Sequence, residues 1–145
     1  PLKALALPII EITNDTVIEH NRHFKITITP QRDVHRLDMF CNAKSRFNAF
    51  NINGVLVKKL KDSTHVFTER KNNRLFSAFL VDKEPLVMEI TIPANQKNTI
   101  LELYESSFDL LTNTQFTVPE RSKNMIPKPF VLNDAIVVKK TIVIE

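Results

Sequence analysis

RLFSAFLVDKEPLVMEITIP, residues 74–93, reads as strand, turn, strand. In the second half Leu86, Met88, Ile90 and Ile92 recur at a period of two, which sends one apolar set to one face of a strand. Between the halves Asp82-Lys83-Glu84-Pro85 is turn chemistry. In the first half both alternating sets are apolar: Leu75, Phe79 and Val81 on one side, Phe76, Ala78 and Leu80 on the other. That pattern predicts a strand covered on both faces, hence central in its sheet.

Outward from this stretch the same period continues. Phe24, Ile26 and Ile28 mark a strand on the N-terminal side, and residues 100–104 another on the C-terminal side. From Phe47 to Ile92 the apolar runs are separated by Asn53-Gly54, Lys61-Asp62-Ser63, Lys71-Asn72-Asn73 and the turn already quoted, which predicts a meander of five consecutive strands. Asn-Gly is the strongest of these signals, because a primed hairpin turn needs positive φ at both central residues. Ser106 or Ser107 would cap one short helical turn through Leu111. Residues 112–133 contain Pro119, Pro127 and Pro129, which fix φ and withhold donors, so an extended surface crossing is expected before a last strand over 135–144. About nine or ten short strands with at most one short helix predict an all-β, antiparallel β-sandwich, since each apolar strand face must be covered.

The 145 residues suit one domain, residues 1–145, with 43% hydrophobic and 25% charged residues, an ordinary globular balance. The apolar run Leu5-Ala6-Leu7-Pro8-Ile9-Ile10 is far shorter than the ~20 residues of a spanning helix, and Pro8 interrupts it. A start at Pro1 with no secretory leader reads as a boundary inside a longer protein, and the resemblance described below implies its C-terminal piece. The net charge of +4 and pI of about 9.3 come from short clusters, Lys58, Lys59 and Lys61, then Arg70, Lys71 and Arg74, then Lys139 and Lys140, which read as solvated surface.

Chemistry is largely excluded by what the chain lacks. One glycine leaves no room for a phosphate loop, a dinucleotide fingerprint or a nucleophile elbow. Cys41 and His35 would lie about 20 Å apart along a strand, too far for a thiolate pair. The histidines His20, His23, His35 and His65 have no metal-ligand spacing, His20 and His23 flanking an expected turn at Asn21-Arg22. No catalytic, cofactor or metal residue can be assigned. Ten phenylalanines accompany one tyrosine and no tryptophan. Phe24, Phe76 and Phe79 fall on alternating apolar positions and read as core. Phe108, Phe116 and Phe130, in or beside the proline-rich crossing, either clamp it to the sandwich or contact a partner.

Residues 74–93, together with LELYESSFDLL at 101–111 and VPERSKNMIPKPFVLNDAIVVKKTI at 118–142, resemble the C-terminal soluble domain of membrane-embedded zinc aminopeptidases of bacteria of the Bacteroidetes type. Those enzymes are similar to the vacuolar and endoplasmic-reticulum metallopeptidases of eukaryotes. The resemblance implies a parent hydrolase whose zinc sits in another domain, and none of the family's metal ligands has a counterpart here. It implies a non-catalytic accessory domain on the extracytoplasmic, periplasmic side of a membrane. Its partners would be the parent's peptidase and transmembrane parts in cis, with lipid headgroups nearby. The alternative is a free-standing module recognising carbohydrate or protein. Nucleic acid is not an expected partner.

Overall fold

A computed structural model, describing residues 6–107 and 136–145, places nine β-strands and no helix among those residues. They are β1 (Ile9–Ile18), β2 (Asn21–Thr29), β3 (Arg36–Cys41), β4 (Ala49–Ile52), β5 (Val55–Leu56), β6 (Arg74–Phe79), β7 (Leu86–Pro93), β8 (Thr99–Ser107) and β9 (Ile136–Ile144). One sheet runs β1-β2-β7-β4-β5 and the other β6-β3-β8-β9, and every pairing is antiparallel. The β-sandwich expected from the alternation is the observed architecture.

Period-two alternation accounts for the core. Phe24, Ile26 and Ile28 of β2 and Leu86, Met88, Ile90 and Ile92 of β7 lie against Leu37, Met39 and Cys41 of β3 and Leu101 and Leu103 of β8, all buried. Removing such side chains from water contributes about 1.5–3 kcal/mol each. Asn53 (φ 49) and Gly54 (φ 85) turn β4 into β5 with both central residues at positive φ, as the Asn-Gly pair predicts.

The order of pairing differs from a meander. Only β4 and β5 join as a hairpin within that stretch; β6 pairs with β3, and β7 inserts between β2 and β4. The strand expected between the turns at Lys61-Asp62-Ser63 and Lys71-Asn72-Asn73 is absent. Residues 57–73 instead carry the chain from one sheet to the other, with a single bridge between Phe47 and Val66. Changing sheets covers apolar side chains that a flat meander would leave in water: Phe47, Phe50 and Val66 are buried between the layers.

β6 is an edge strand rather than a central one. The register against β3 shifts between Met39 and Phe40, so consecutive Leu75 and Phe76 both reach the core. That irregularity produced the doubly apolar pattern. Phe79 is consequently 78% exposed and Val81 64% exposed, so Phe79 is not the core residue its spacing suggested, while Phe24 and Phe76 do belong to the packed interior.

The turn joining β1 and β2 falls at Glu19 and His20, two residues before the expected Asn21-Arg22, with Glu19 supplying a φ of 57. Ser106 and Ser107 are the last residues of β8, paired with Val137 and Ile136. The rest of the expected helical turn, the proline-rich crossing and Phe108, Phe116 and Phe130 lie outside the described residues.

Candidate recognition surface

The outward residues of β3 are Arg36, Asp38 and Phe40, alternating with buried Leu37, Met39 and Cys41. Those of β8 are Glu102, Tyr104 and Ser106. Antiparallel register sets them in rows across the sheet: Phe79, Arg36, Ser106 and Val137; Ser77, Asp38, Tyr104 and Lys139; Arg74, Phe40, Glu102 and Thr141. All of these residues except Phe79, Ser77, Lys139 and Thr141 line a groove of about 430 Å³, to which Asn72 and Asn73 also contribute.

The groove is internally paired. Phe40 and Tyr104 meet edge to face with ring centroids 5.4 Å apart. Arg74 lies over Phe40 at 5.5 Å, Lys139 over Tyr104 at 5.7 Å and Arg36 over Phe79 at 6.0 Å. The Arg36 Nε is 2.9 Å from an Asp38 carboxylate oxygen, and the Ser77 hydroxyl donates to Asp38 as well, so this nearly buried carboxylate is satisfied. Lys139 stands 3.5 Å from Glu102, whose charge holds the ammonium above its usual range. Tyrosine and arginine in a partly desolvated groove are the residue types that dominate recognition energies. The cations over the rings occupy the faces on which a sugar would stack.

Sequence reasoning missed this surface. The signal was present in the polar phase of β3 and β8, where Arg36, Asp38 and Phe40 alternate with an apolar set, as do Glu102 and Tyr104. Only the register brings the two strands side by side.

On the inner face, Glu105 continues the phase of Leu101 and Leu103 and is wholly buried. Neither carboxylate oxygen has a hydrogen-bond partner among the described residues. Burial pushes its pKa up to about 7, against the opposing attraction of Arg32. Arg32 donates to the Glu105 backbone carbonyl at 3.1 Å and to the Ser107 hydroxyl.

The histidines are dispersed in different settings. The His20 carbonyl accepts from the Ala94 amide, the His23 Nδ1 is 2.9 Å from the Thr91 hydroxyl, His35 exchanges backbone bonds with Ser106 and Leu80, and the His65 Nδ1 is 3.2 Å from the Thr64 hydroxyl. Among the described residues no three His, Cys, Asp or Glu side chains are grouped so as to hold a metal ion. Cys41 is buried in the core, and burial pushes its thiol up, away from the reactive thiolate. No helix of the described residues is long and apolar enough to cross a membrane. Compared with protein-family models, curated proteins and solved structures, the chain matches none.

Proposed function

We propose that this chain is a non-catalytic recognition domain whose working surface is the outer face of the β6-β3-β8-β9 sheet. The observation that carries the reading is the Phe40–Tyr104 pair, set with Arg36 and Arg74 in one groove, with Lys139 over the Tyr104 ring. Its rings are capped by cations and its carboxylates are paired, so the groove offers charge-assisted donors beside apolar edges. A protein or peptide surface presenting carboxylates meets those terms better than a carbohydrate does.

The sequence resemblance supports a setting for this surface: an accessory domain of a membrane-bound zinc metallopeptidase, on the periplasmic side, packing on the peptidase or transmembrane part or assisting peptide access. In that setting zinc and catalysis belong to the parent's other domain. The test is calorimetric binding of this chain to the peptidase and helix-bundle parts of such an aminopeptidase. Binding that disappears in the Arg36→Ala, Tyr104→Ala double variant is expected. Binding to a glycan panel instead, or peptide turnover by the chain alone with added zinc, would overturn the reading.

A further inference from the structure

A second concavity, of about 350 Å³, lies where the loop between β3 and β4 meets the crossing that leads to β6. Lys44, Arg46, His65 and Arg70 line it, with Ser45 and Thr68. No carboxylate is among its lining residues, although Glu69 sits between Thr68 and Arg70 in the chain. Among the described residues none of Lys44, Arg46 and Arg70 is in an ion pair. Three cationic side chains thus share one small space with no carboxylate, Arg70 compensated by backbone carbonyls and Lys44 and Arg46 by solvent, so their summed field attracts an anion.

The backbone around this pocket is tied by side-chain hydrogen bonds. Gln96 clamps the backbone of Arg46 from both sides, its Oε1 accepting from the Arg46 amide at 2.7 Å and its Nε2 donating to the Arg46 carbonyl at 3.1 Å. The same Nε2 donates to the Thr99 hydroxyl. Asn42 Oδ1 accepts from the Lys44 amide at 2.8 Å and fixes the turn. Phe67 is held at a φ of 56, unusual for a bulky residue, by ring contacts with Phe47 and Phe50. Arg70 is locked by donating to backbone carbonyls, so its charge cannot swing away. Lys44 and Arg46 are exposed and free to close on a ligand, with the Ser45 and Thr68 hydroxyls beside them.

We propose that this pocket binds a phosphate group, carried by a soluble phosphate ester or by a lipid headgroup. Three cations call for a dianion rather than a single carboxylate, and several donors converging from two loops suit three acceptor oxygens better than two. The site is separate from the groove of the outer sheet face and stands independently of the function proposed for that face.

The test is titration of the isotope-labelled chain with inorganic phosphate, followed by amide shifts, with chloride at matched ionic strength as the control. Saturable shifts at Lys44, Arg46, His65 and Thr68 are expected. They should weaken about tenfold or more in the Lys44→Ala, Arg46→Ala double variant and persist in Lys58→Ala, Lys59→Ala. Sedimentation with phosphatidylcholine vesicles containing phosphatidic acid identifies the source. Co-sedimentation that free phosphate competes away supports a headgroup, and phosphate binding without it supports a soluble ester. Shifts spread over Lys58, Lys59, Lys61, Lys139 and Lys140, shifts reproduced by chloride, or a double variant that binds unchanged while remaining folded would overturn the proposal.

Discussion

The guanidinium of Arg70 lies over the ring of Phe47, 5.2 Å from its centroid, and its nitrogens donate to the carbonyls of Phe67, Cys41, Asn42 and Ser45. One side chain therefore ties the crossing before β6 to the loop after β3. Burial lowers its pKa, yet a guanidinium stays charged at any ordinary pH.

Replacing Arg70 by alanine removes a charge-assisted donor from each of those carbonyls, of which Asn42 keeps the Ser45 amide, and uncovers Phe47, and should cost about 2–4 kcal/mol. Arg70→Lys should recover only a minor part, because an ammonium cannot span acceptors set around a planar fork. Urea unfolding midpoints of the two variants check both statements.

Glu105 imposes a pH dependence with a definite sign. Its folded pKa of about 7 lies above the ordinary 4.5, so the native state holds the proton more tightly than the unfolded chain does. The cost is absent below pH 4.5, grows as pH rises towards 7 and is complete above it, on the order of 3 kcal/mol. Stability of the native chain should fall across that window, and Glu105→Gln should flatten the fall. Denaturation at a series of pH values would show it.

Gly54→Ala tests the β4–β5 turn. A Cβ at Gly54 would meet nothing within 4 Å, so the only penalty is the φ of 85. The expected loss is about 1 kcal/mol, readable as a lowered melting temperature, and Gly54→Asn should lose less because asparagine tolerates that region.

Phe79→Ser should leave stability within about 0.5 kcal/mol of the native value, because the ring is largely in solvent and loses only its contact with Arg36. A core phenylalanine such as Phe50, replaced by alanine, should cost about 3–5 kcal/mol. Thermal melts of the pair distinguish an edge strand from a central one.

The contrast between Phe79 and Phe24 also shows what was legible in the sequence. Where alternation is unbroken, as in β2 and β7, the buried set is readable residue by residue. In β6 the shifted register places Leu75 and Phe76 on the core together, and a period of two counted through it assigns the wrong face. Between the turns at Lys61-Asp62-Ser63 and Lys71-Asn72-Asn73 the pattern predicts a strand, and nothing local announces that Arg70 replaces a ladder of backbone bonds there. The recognition groove was hidden for a different reason. Phe40 and Tyr104 become neighbours only through the β3–β8 pairing, and Phe108, Phe116 and Phe130, the partner contacts the sequence suggested, fall outside the described residues.

The irregularity in β1 between Thr13 and Thr16 has a consequence for encounters between copies of the chain. β1 is a long outer strand of its sheet, and exposed strands of that kind invite pairing with another molecule. Here one extra residue, with Asn14 and Asp15 facing the single Phe24 of β2, throws an incoming strand out of step halfway along. Of the two charged residues of β1, Asp15 is held by the Arg22 guanidinium across the irregularity and Glu11 is left as an exposed negative charge on the edge. Deleting the extra residue should increase self-association relative to the native chain, readable by light scattering.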